Sequence, residues 1–230
     1  MRMMIAATLA IAPLLAKGND SIKRLDEAAV VFSEIMATPD KGIPEDLLAR
    51  AHCIVIVPSE KAAAFIVGAK YGKGYVSCRH AGGWSAPGTV IIEGGTFGFQ
   101  IGGSSTDVIM LVMNQGGEDK LLSSRFTLGA DASVAAGPVG RTVAAETDLQ
   151  LHAEVLSWSR SQGLFAGVAL EGATLRQDLN DNAQIYGRKL DNREILTTHV
   201  HTPRMAAKLI AELDQHPARE PAVASAGAGQ

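Results

Sequence analysis

Hydrophobic positions change their spacing along the chain, and this change predicts helical ends around a β-rich middle. In residues 20–37, "DSIKRLDEAAVVFSEIMA", apolar side chains recur every three or four positions, which predicts an amphipathic helix. "IPEDLLARA" predicts a second helix with Pro44 near its first turn, and "PRMAAKLIAELDQH" predicts a C-terminal helix. The apolar face of the first helix is expected to consist of Ile22, Leu25, Ala29, Phe32 and Met36.

Between these helices the apolar residues form short continuous runs or alternate with small and polar ones, which is typical of strands. We predict a buried strand at "HCIVIVP" that ends at Pro58, and two strands in "AFIVGAKYGKGYVSCR" on either side of a turn at Gly72–Gly74. "GTVIIEGGTFGFQIGG", "DVIMLVMN", "TDLQLHAEVLSWSRS" and "GLFAGVALEGATLR" predict further strands, and "REILTTHVHTP" predicts a polar extended segment. The predicted fold class is α+β: a bent, mostly antiparallel sheet or barrel-like core with N-terminal and C-terminal helices.

The N-terminus, "MRMMIAATLAIAPLLAKG", carries a positive charge at Arg2 followed by an apolar run that ends at Ala16. That run is too short to cross a bilayer, and no other segment is long and apolar enough to do so. We expect a signal peptide over residues 1–16, so that the protein is exported to the periplasm or the envelope. The alternative is an N-terminal helix that packs on the body of a cytoplasmic protein.

Composition and charge narrow the class of protein. Apolar residues make up 47% of the chain and charged residues 20%, which is a globular composition. The net charge of −3 gives no general attraction to nucleic acid, so we predict no nucleic-acid partner. Cys53 and Cys78 lack the spacing of a metal site, and they are either buried thiols or, in an exported protein, a disulfide. The tail, residues 217–230, lacks large apolar groups and is predicted to be disordered.

No arrangement of residues predicts catalysis. "GAKYGKG" does not have the pattern of a nucleotide-binding loop, and "GWSAPG" does not have that of a nucleophile elbow. His199 and His201 would share one face of a strand, but no acidic or thiol partner is spaced to complete a metal site with them. The sequence therefore predicts a non-enzymatic protein that needs no cofactor.

The segment 126–141, "FTLGADASVAAGPVGR", is unusually rich in small residues. We interpret it as structural: its small side chains let the backbone pass tightly against the sheet, while Asp131 accepts hydrogen bonds from backbone amides at a turn. Arg125 and Arg141 flank this segment and are expected to pair with aspartates that lie in apolar or small-residue runs. Those aspartates are Asp107, Asp131 and Asp148.

Basic side chains cluster in two places. One group lies at the start of the first helix and the other around the predicted hairpin: Lys17, Lys23 and Arg24, and then Lys61, Lys70, Lys73 and Arg79. A basic end on an amphipathic helix is attracted to an anionic lipid surface. Because Asp26 and Glu27 dilute the charge, a solvated helix face is the alternative interpretation.

Four long stretches resemble the SYLF domain, a family of lipid-binding domains. They occur in the order found in the family and cover roughly residues 22–190: "CIVIVPSEKAAAFIVGAKYGKGYVSCR", "GWSAPGTVIIEGGTFGFQIGGSSTDVIMLVMN", "LLSSRFTLGADASVAAGPVGR" and "SRSQGLFAGVALEGATL". Eukaryotic members bind phosphoinositides, partly through a basic amphipathic N-terminal helix, and fungal members also bind actin. The chain is identified as a bacterial member, and bacterial members look like exported or envelope proteins.

The resemblance implies a SYLF-like lipid-binding domain over residues 17–200, followed by a C-terminal helix at 201–216. Its expected partners are anionic phospholipids, including phosphoinositides, at a membrane surface. The alternative is an envelope protein with a structural or interaction role that binds a protein or cell-wall partner. The residues expected to bind lipid are Lys17, Lys23, Arg24, Lys70, Lys73 and Arg79.

Overall fold

The computed structural model describes residues 12–38, 42–140, 152–161 and 163–218, with side chains in all of these except 12–19, 62–68 and 96–104. Most of the predicted signal peptide, most of the predicted tail, Arg141 and Asp148 lie outside the described residues. The helices are α1 (Ala12–Met36), α2 (Glu45–Arg50), α3 (Gln115–Leu121), α4 (Leu179–Tyr186), α5 (Asn192–Thr197) and α6 (Ala207–Asp214), with a 3₁₀ turn at Arg204–Ala206. The strands are β1 (Cys53–His80), β2 (Gly83–Trp84), β3 (Gly88–Val112), β4 (Arg125–Thr127), β5 (Val134–Ala136), β6 (Val155–Ser161), β7 (Leu164–Gly167) and β8 (Thr174–Gln177).

One mixed sheet connects all of these strands. Its main path runs β2-β1-β3-β6-β5, while β7 pairs with β6 and β8 joins β3 to β4. The β5–β6 pair is parallel and the other pairs are antiparallel. Helices precede and follow the sheet, which confirms the predicted α+β class with a bent, mostly antiparallel core.

The sheet is organised around a long ribbon of β1 and β3 that folds back on itself. Their register runs from the pair Cys53↔Val112 to the pair Val76↔Gly88. The two ends of β1 meet, because the Arg79 amide donates to the carbonyl of His52 at 2.8 Å and Cys53 forms a disulfide with Cys78. The two halves of the ribbon therefore pack on each other, and the disulfide joins them at one end.

The predicted turn at Gly72–Gly74 is wrong, since both glycines lie inside the continuous strand β1. Their role is close approach between the two halves of that strand. A Cβ at Gly74 would lie 2.1 Å from the carbonyl oxygen of Ile56, which no side chain tolerates. Glycine here marks a crossing of backbone rather than a reversal of direction.

Pro58 does not end a strand as predicted; β1 continues through it with a bulge. The register shifts between Val57 and Glu60, and Ser59 adopts a positive φ of 55°. The Ser59 amide donates to Oδ1 of Asp107 at 2.9 Å, and the same carboxylate pairs with Arg160 at 2.6 Å. The partner of Asp107 is thus Arg160, whereas we predicted Arg125 or Arg141.

Helix α1 packs one apolar face on the sheet. The predicted face is largely correct, but Ile22 is 39% exposed rather than buried. The hydroxyl of Tyr75 on β1 donates to the carbonyl of Ser21 at 2.6 Å and fixes the N-terminal half of the helix on the ribbon. The buried face is made by Leu25, Ala28, Ala29, Val31, Phe32 and Ile35.

The small-residue segment after β4 has the structural role that the sequence predicts. The Thr127 amide donates to Oδ2 of Asp131 at 2.7 Å and closes a turn. Beyond β5, Gly137 lies against the indole of Trp158, where an added Cβ would come within 2.1 Å of the ring. The absence of a side chain at Gly137 therefore lets the backbone cover a fully buried tryptophan.

The C-terminal region is more helical than predicted. "DLNDNAQIYG" forms α4, and α6 is the predicted C-terminal helix. The prediction of an extended segment at "REILTTHVHTP" is wrong for residues 193–197, which belong to α5, whereas residues 198–203 lie outside any helix. Asp191 caps α5 by accepting a hydrogen bond from the Glu194 amide at 2.7 Å.

Candidate functional site

An open cleft lies between the N-terminal half of α1 and the part of the ribbon where β1 leaves and re-enters the sheet. Its volume is about 520 Å³. We call it the basic cleft, since basic side chains outnumber acidic ones on its walls. The charged and aromatic side chains that line it are Asp20, Lys23, Arg24, Glu27, Lys61, Tyr71 and Lys73.

The structure brings Arg24 and Lys73 together, although they are far apart in the chain, through two aspartates of α4. Nη1 of Arg24 lies 2.9 Å from Oδ2 of Asp181. Nζ of Lys73 lies 2.5 Å from Oδ2 of Asp178 and 3.1 Å from Oδ1 of Asp181. Both carboxylates are buried, with side chains 7% and 9% exposed. This network therefore holds α1, β1 and α4 together beside the basic cleft, which Arg24 and Lys73 line.

The charges of this network stabilise each other. Burial alone would raise the pKa of Asp178, but the hydrogen bond from Lys73 and those from the Asp181 and Asn180 amides lower it overall. Burial alone would lower the pKa of Lys73, but its hydrogen bonds to Asp178 and Asp181 raise it overall. Both groups are therefore charged across the neutral range, and most of the charge on Lys73 is already compensated.

The other lysines of the site are more accessible. The side chain of Lys23 is 78% exposed and lies 3.4 Å from Glu27, one turn along α1, an exposed pair that restrains it only weakly. Lys61 is exposed on the wall of the basic cleft, whereas Lys70 is half-buried and is not one of the residues that line the cleft. Lys23 and Lys61, with the 46% exposed ring of Tyr71, are the part of the cleft that an incoming anion reaches first.

Glu60 is a buried carboxylic acid on β1, next to Lys61 in the sequence. Its side chain is 6% exposed, and within the described residues its Oε1 has no hydrogen-bond partner. Burial raises the pKa of this carboxyl, and the nearby charge of Lys70 offsets only part of the effect. The charge of Lys70 is therefore balanced less completely than that of Lys73.

Arg79 is not part of this arrangement in the described structure. Arg79 lies at the far end of β1, where it donates to the carbonyls of Leu48, Ala51 and His216 and stacks 4.1 Å above Trp84. It therefore acts as a clamp between the ribbon and the helices. Lys17 belongs to the backbone of α1, but its side chain lies outside the described residues.

Sequence reasoning missed the aspartates that pair with Arg24 and Lys73 and the aromatic side chain on the wall of the cleft. Asp178 and Asp181 have the spacing of an N-cap and the first turn of a helix, and Asp178 indeed accepts hydrogen bonds from the amides of Asn180 and Asp181. That signal was present in "DLNDN". No local signal could have shown that these carboxylates face Arg24 and Lys73.

Two further observations concern membrane spans and metal sites within the described residues. None of the helices there combines the length and the apolar character that a bilayer span requires. Likewise, no group of three or more His, Cys, Asp and Glu side chains in the described ranges is placed to hold a metal ion.

Comparison with known families defines the class of protein. The family profile described as "Ysc84: Las17-binding protein actin regulator" matches residues 93–216, from β3 to the end of α6. The family description names a protein that binds Las17 and regulates actin. The chain belongs to this Ysc84, or SYLF, family, in agreement with the resemblance found in the sequence.

Named relatives match over most of the chain. SH3 domain-containing YSC84-like protein 1 of Bos taurus is 35% identical over 206 residues, and the Homo sapiens protein of the same name is 36% identical over 206 residues. Each match covers 88% of this chain and 60% of the relative. LAS seventeen-binding protein 3 of Saccharomyces cerevisiae is 31% identical over 179 residues, which is 76% of this chain and 39% of the yeast protein. The chain thus spans only part of the length of these relatives.

Proposed function

We propose that this protein binds anionic phospholipid head groups, including phosphoinositides, at a membrane surface and performs no catalysis. The observation that carries the proposal is the basic cleft, where Lys23 of α1 and Lys61 of β1 line one open depression. Lysine ammonium groups bind phosphate as mobile point charges, and each contributes about 1 kcal/mol near an anionic surface. Several such groups on one face are therefore needed for stable association.

We infer different roles for the predicted lipid-binding residues. Lys23 and Lys70, together with Lys61, have ammonium groups that can meet a head group. Arg24 and Lys73 are bound to Asp178 and Asp181, so they contribute less to the attraction.

Binding to a protein partner is the second candidate. The family description names Las17 and actin regulation, and the yeast relative carries Las17 binding in its name. The matched region, residues 93–216, includes none of the lysines of the basic cleft. A protein partner would therefore use another surface, and its binding would be independent of those lysines.

We also propose that the protein works outside the cytoplasm, in the periplasm or envelope. The apolar N-terminal run supports this proposal, as does the Cys53–Cys78 disulfide, because such bonds persist in oxidising compartments. Mass spectrometry of the protein isolated from its native cell tests it. A mature N-terminus at Lys17 is expected, whereas an intact N-terminus and free thiols would refute export.

Co-sedimentation with vesicles tests the lipid proposal. We expect binding to phosphatidylcholine vesicles that contain phosphatidylglycerol, cardiolipin or phosphoinositides, no binding to pure phosphatidylcholine, and loss of binding as salt is raised. A Lys23→Glu/Lys61→Glu variant should bind at least about tenfold more weakly, in line with two lost contributions of about 1 kcal/mol each.

The matched control is Lys120→Glu, which changes the same charge on the exposed side of α3, away from the cleft. It should bind like the unaltered protein. Equal binding to neutral and anionic vesicles, or equal loss in the control and the cleft variant, would refute head-group recognition at the basic cleft.

A further inference from the structure

One part of the ribbon extends beyond the rest of the sheet. Strand β3 pairs with β8 up to Glu93 and with β6 from Asp107 onward. In the described structure the residues between, 94–106, pair only with β1. The part of β1 that pairs with residues 94–106 starts and finishes at neighbouring positions: a Cβ at Gly72 would lie 3.2 Å from the Cα of Glu60. The two strands thus leave the sheet together and return together.

The sequence of this excursion differs from that of its surroundings. No charged residue occurs in 62–69 of β1 or in 94–106 of β3. We call these two ranges the ribbon tip. Both contain large apolar residues where a surface ribbon normally carries polar ones: Phe65, Ile66, Val67, Phe97, Phe99 and Ile101.

Basic and amphipathic residues stand where the ribbon tip joins the sheet. Lys61 and Lys70 bound the uncharged part of β1, and the exposed Tyr71 follows Lys70. Glu93 and Asp107 bound the uncharged part of β3, where they pair with Arg176 and Arg160. Lys23 of α1 lines the same cleft as Lys61 and Tyr71. Lysine and tyrosine side chains in such a position are typical of the boundary between lipid head groups and acyl chains.

We propose that the ribbon tip inserts into the outer layer of an anionic membrane, while the lysines at its base bind the head groups. This inference rests on the proposed binding of anionic lipid. The charge pattern selects a lipid surface as the occupant: the acidic residues beside the uncharged tip are buried or paired with arginine, whereas Lys61 and Lys23 are exposed, and this matches apolar chains beneath anionic head groups.

Backbone chemistry limits how deeply the ribbon tip inserts. A two-stranded ribbon has an unpaired edge on each side, and every unsatisfied amide or carbonyl in the hydrocarbon core costs several kcal/mol. The edges must therefore remain in the hydrated head-group layer. Insertion is therefore shallow, and the ribbon tip reaches only the upper part of the acyl region.

Tryptophan fluorescence tests the insertion directly. The native tryptophans, Trp84 and Trp158, are buried and provide a constant background. In a Phe97→Trp variant, phosphatidylglycerol-containing vesicles should shift the emission to shorter wavelength, and lipids brominated near the head group should quench it more than lipids brominated near the chain end. Phe99→Trp provides a second probe if the first variant unfolds.

The control is Ala81→Trp. Ala81 is exposed in the turn after β1, about 30 Å from Tyr71 along an extended strand. Its emission should not respond to vesicles. If the protein binds anionic vesicles but neither tip probe shifts, insertion is refuted while head-group binding stands. If the protein does not bind these vesicles at all, both proposals fail.

A loss-of-function variant gives an independent test. Phe97→Ser/Phe99→Ser leaves every lysine in place and should weaken partitioning at least about tenfold, because apolar area no longer leaves water. Thermal melting must show that the variant is folded. Unchanged partitioning would refute the proposal, and so would loss of a dimer in the variant, since the ribbon tip would then bind a second copy of the chain.

Discussion

Lys73 of β1 and Asp178 of α4 form a salt bridge with 2.5 Å between Nζ and Oδ2, across 105 positions of sequence. The same ammonium group reaches Asp181 at 3.1 Å. Three elements of the fold therefore meet in one charged network that borders the basic cleft. The network links the stability of the domain to the geometry of its site.

Asp178→Asn should destabilise the protein by about 2 kcal/mol at neutral pH, because Lys73 loses a buried partner while the N-cap of α4 is kept. Urea unfolding measures the change. Asp191→Asn is the control, because Asp191 is an exposed N-cap residue on α5. Equal losses in the two variants would contradict a specific role of the salt bridge.

The same network predicts acid sensitivity. The pKa of Asp178 is lower in the folded protein than its ordinary value of 3.8. Its stabilising contribution is therefore present above pH of about 4 and is lost as the pH falls through the folded-state pKa. The difference in unfolding free energy between the wild type and Asp178→Asn should shrink over that range, and a constant difference would contradict the prediction.

Glu60→Gln should stabilise the protein by about 1 kcal/mol at pH 7, because a buried carboxylate with an unpaired oxygen is replaced by a neutral group. Its pKa is raised above the ordinary 4.5, so the wild type loses stability as the pH rises through this region. The advantage of the variant should disappear below about pH 4. A destabilised variant at pH 7 would show that Glu60 has a required partner.

Gly137→Ala should cost about 1–3 kcal/mol, because the new methyl group overlaps the ring of Trp158. Gly82→Ala is the matched control, since a Cβ at Gly82 meets nothing within 4 Å. Thermal melting of both variants distinguishes overpacking from the general effect of replacing glycine. Full stability of Gly137→Ala with loss of lipid binding would instead make this segment a binding surface.

Replacing both Cys53 and Cys78 by Ala should lower the unfolding free energy by about 2–4 kcal/mol, because the bond restricts the unfolded chain across a separation of 25 residues. Urea unfolding with and without reductant measures this. The variant itself should be insensitive to reductant, and an equal response of both proteins would contradict the assignment.

The sequence predicted the helices well where their signals are local. Helix α1 has regular apolar spacing, and α6 has the same pattern. Helix α5 was missed because the β-branched residues of "THVH" outweighed a capping signal in "DNRE", where Asp191 and Glu194 have the spacing of a helix start.

The ribbon could not be predicted because its signals are tertiary. Glycine and proline usually end elements, so Gly74 and Pro58 were interpreted as a turn and a stop. In the structure, Gly74 lies where two parts of β1 approach each other closely, and Pro58 lies at a bulge of the same strand. The site was predicted in part for the same reason: lysines near each other in sequence could be grouped, but Asp178 and Asp181 are remote in sequence.

The disulfide between Cys53 and Cys78 turns residues 53–78 of β1 into a covalent ring that contains half of the ribbon tip. A protease that cuts at Lys61 or Lys70 would therefore leave the two fragments attached to each other. The break would become visible on a gel only after reduction. Vesicles that cover the ribbon tip would delay cleavage at Lys61 and Lys70. The amount of cleaved chain seen after reduction would therefore report whether the ribbon tip was protected.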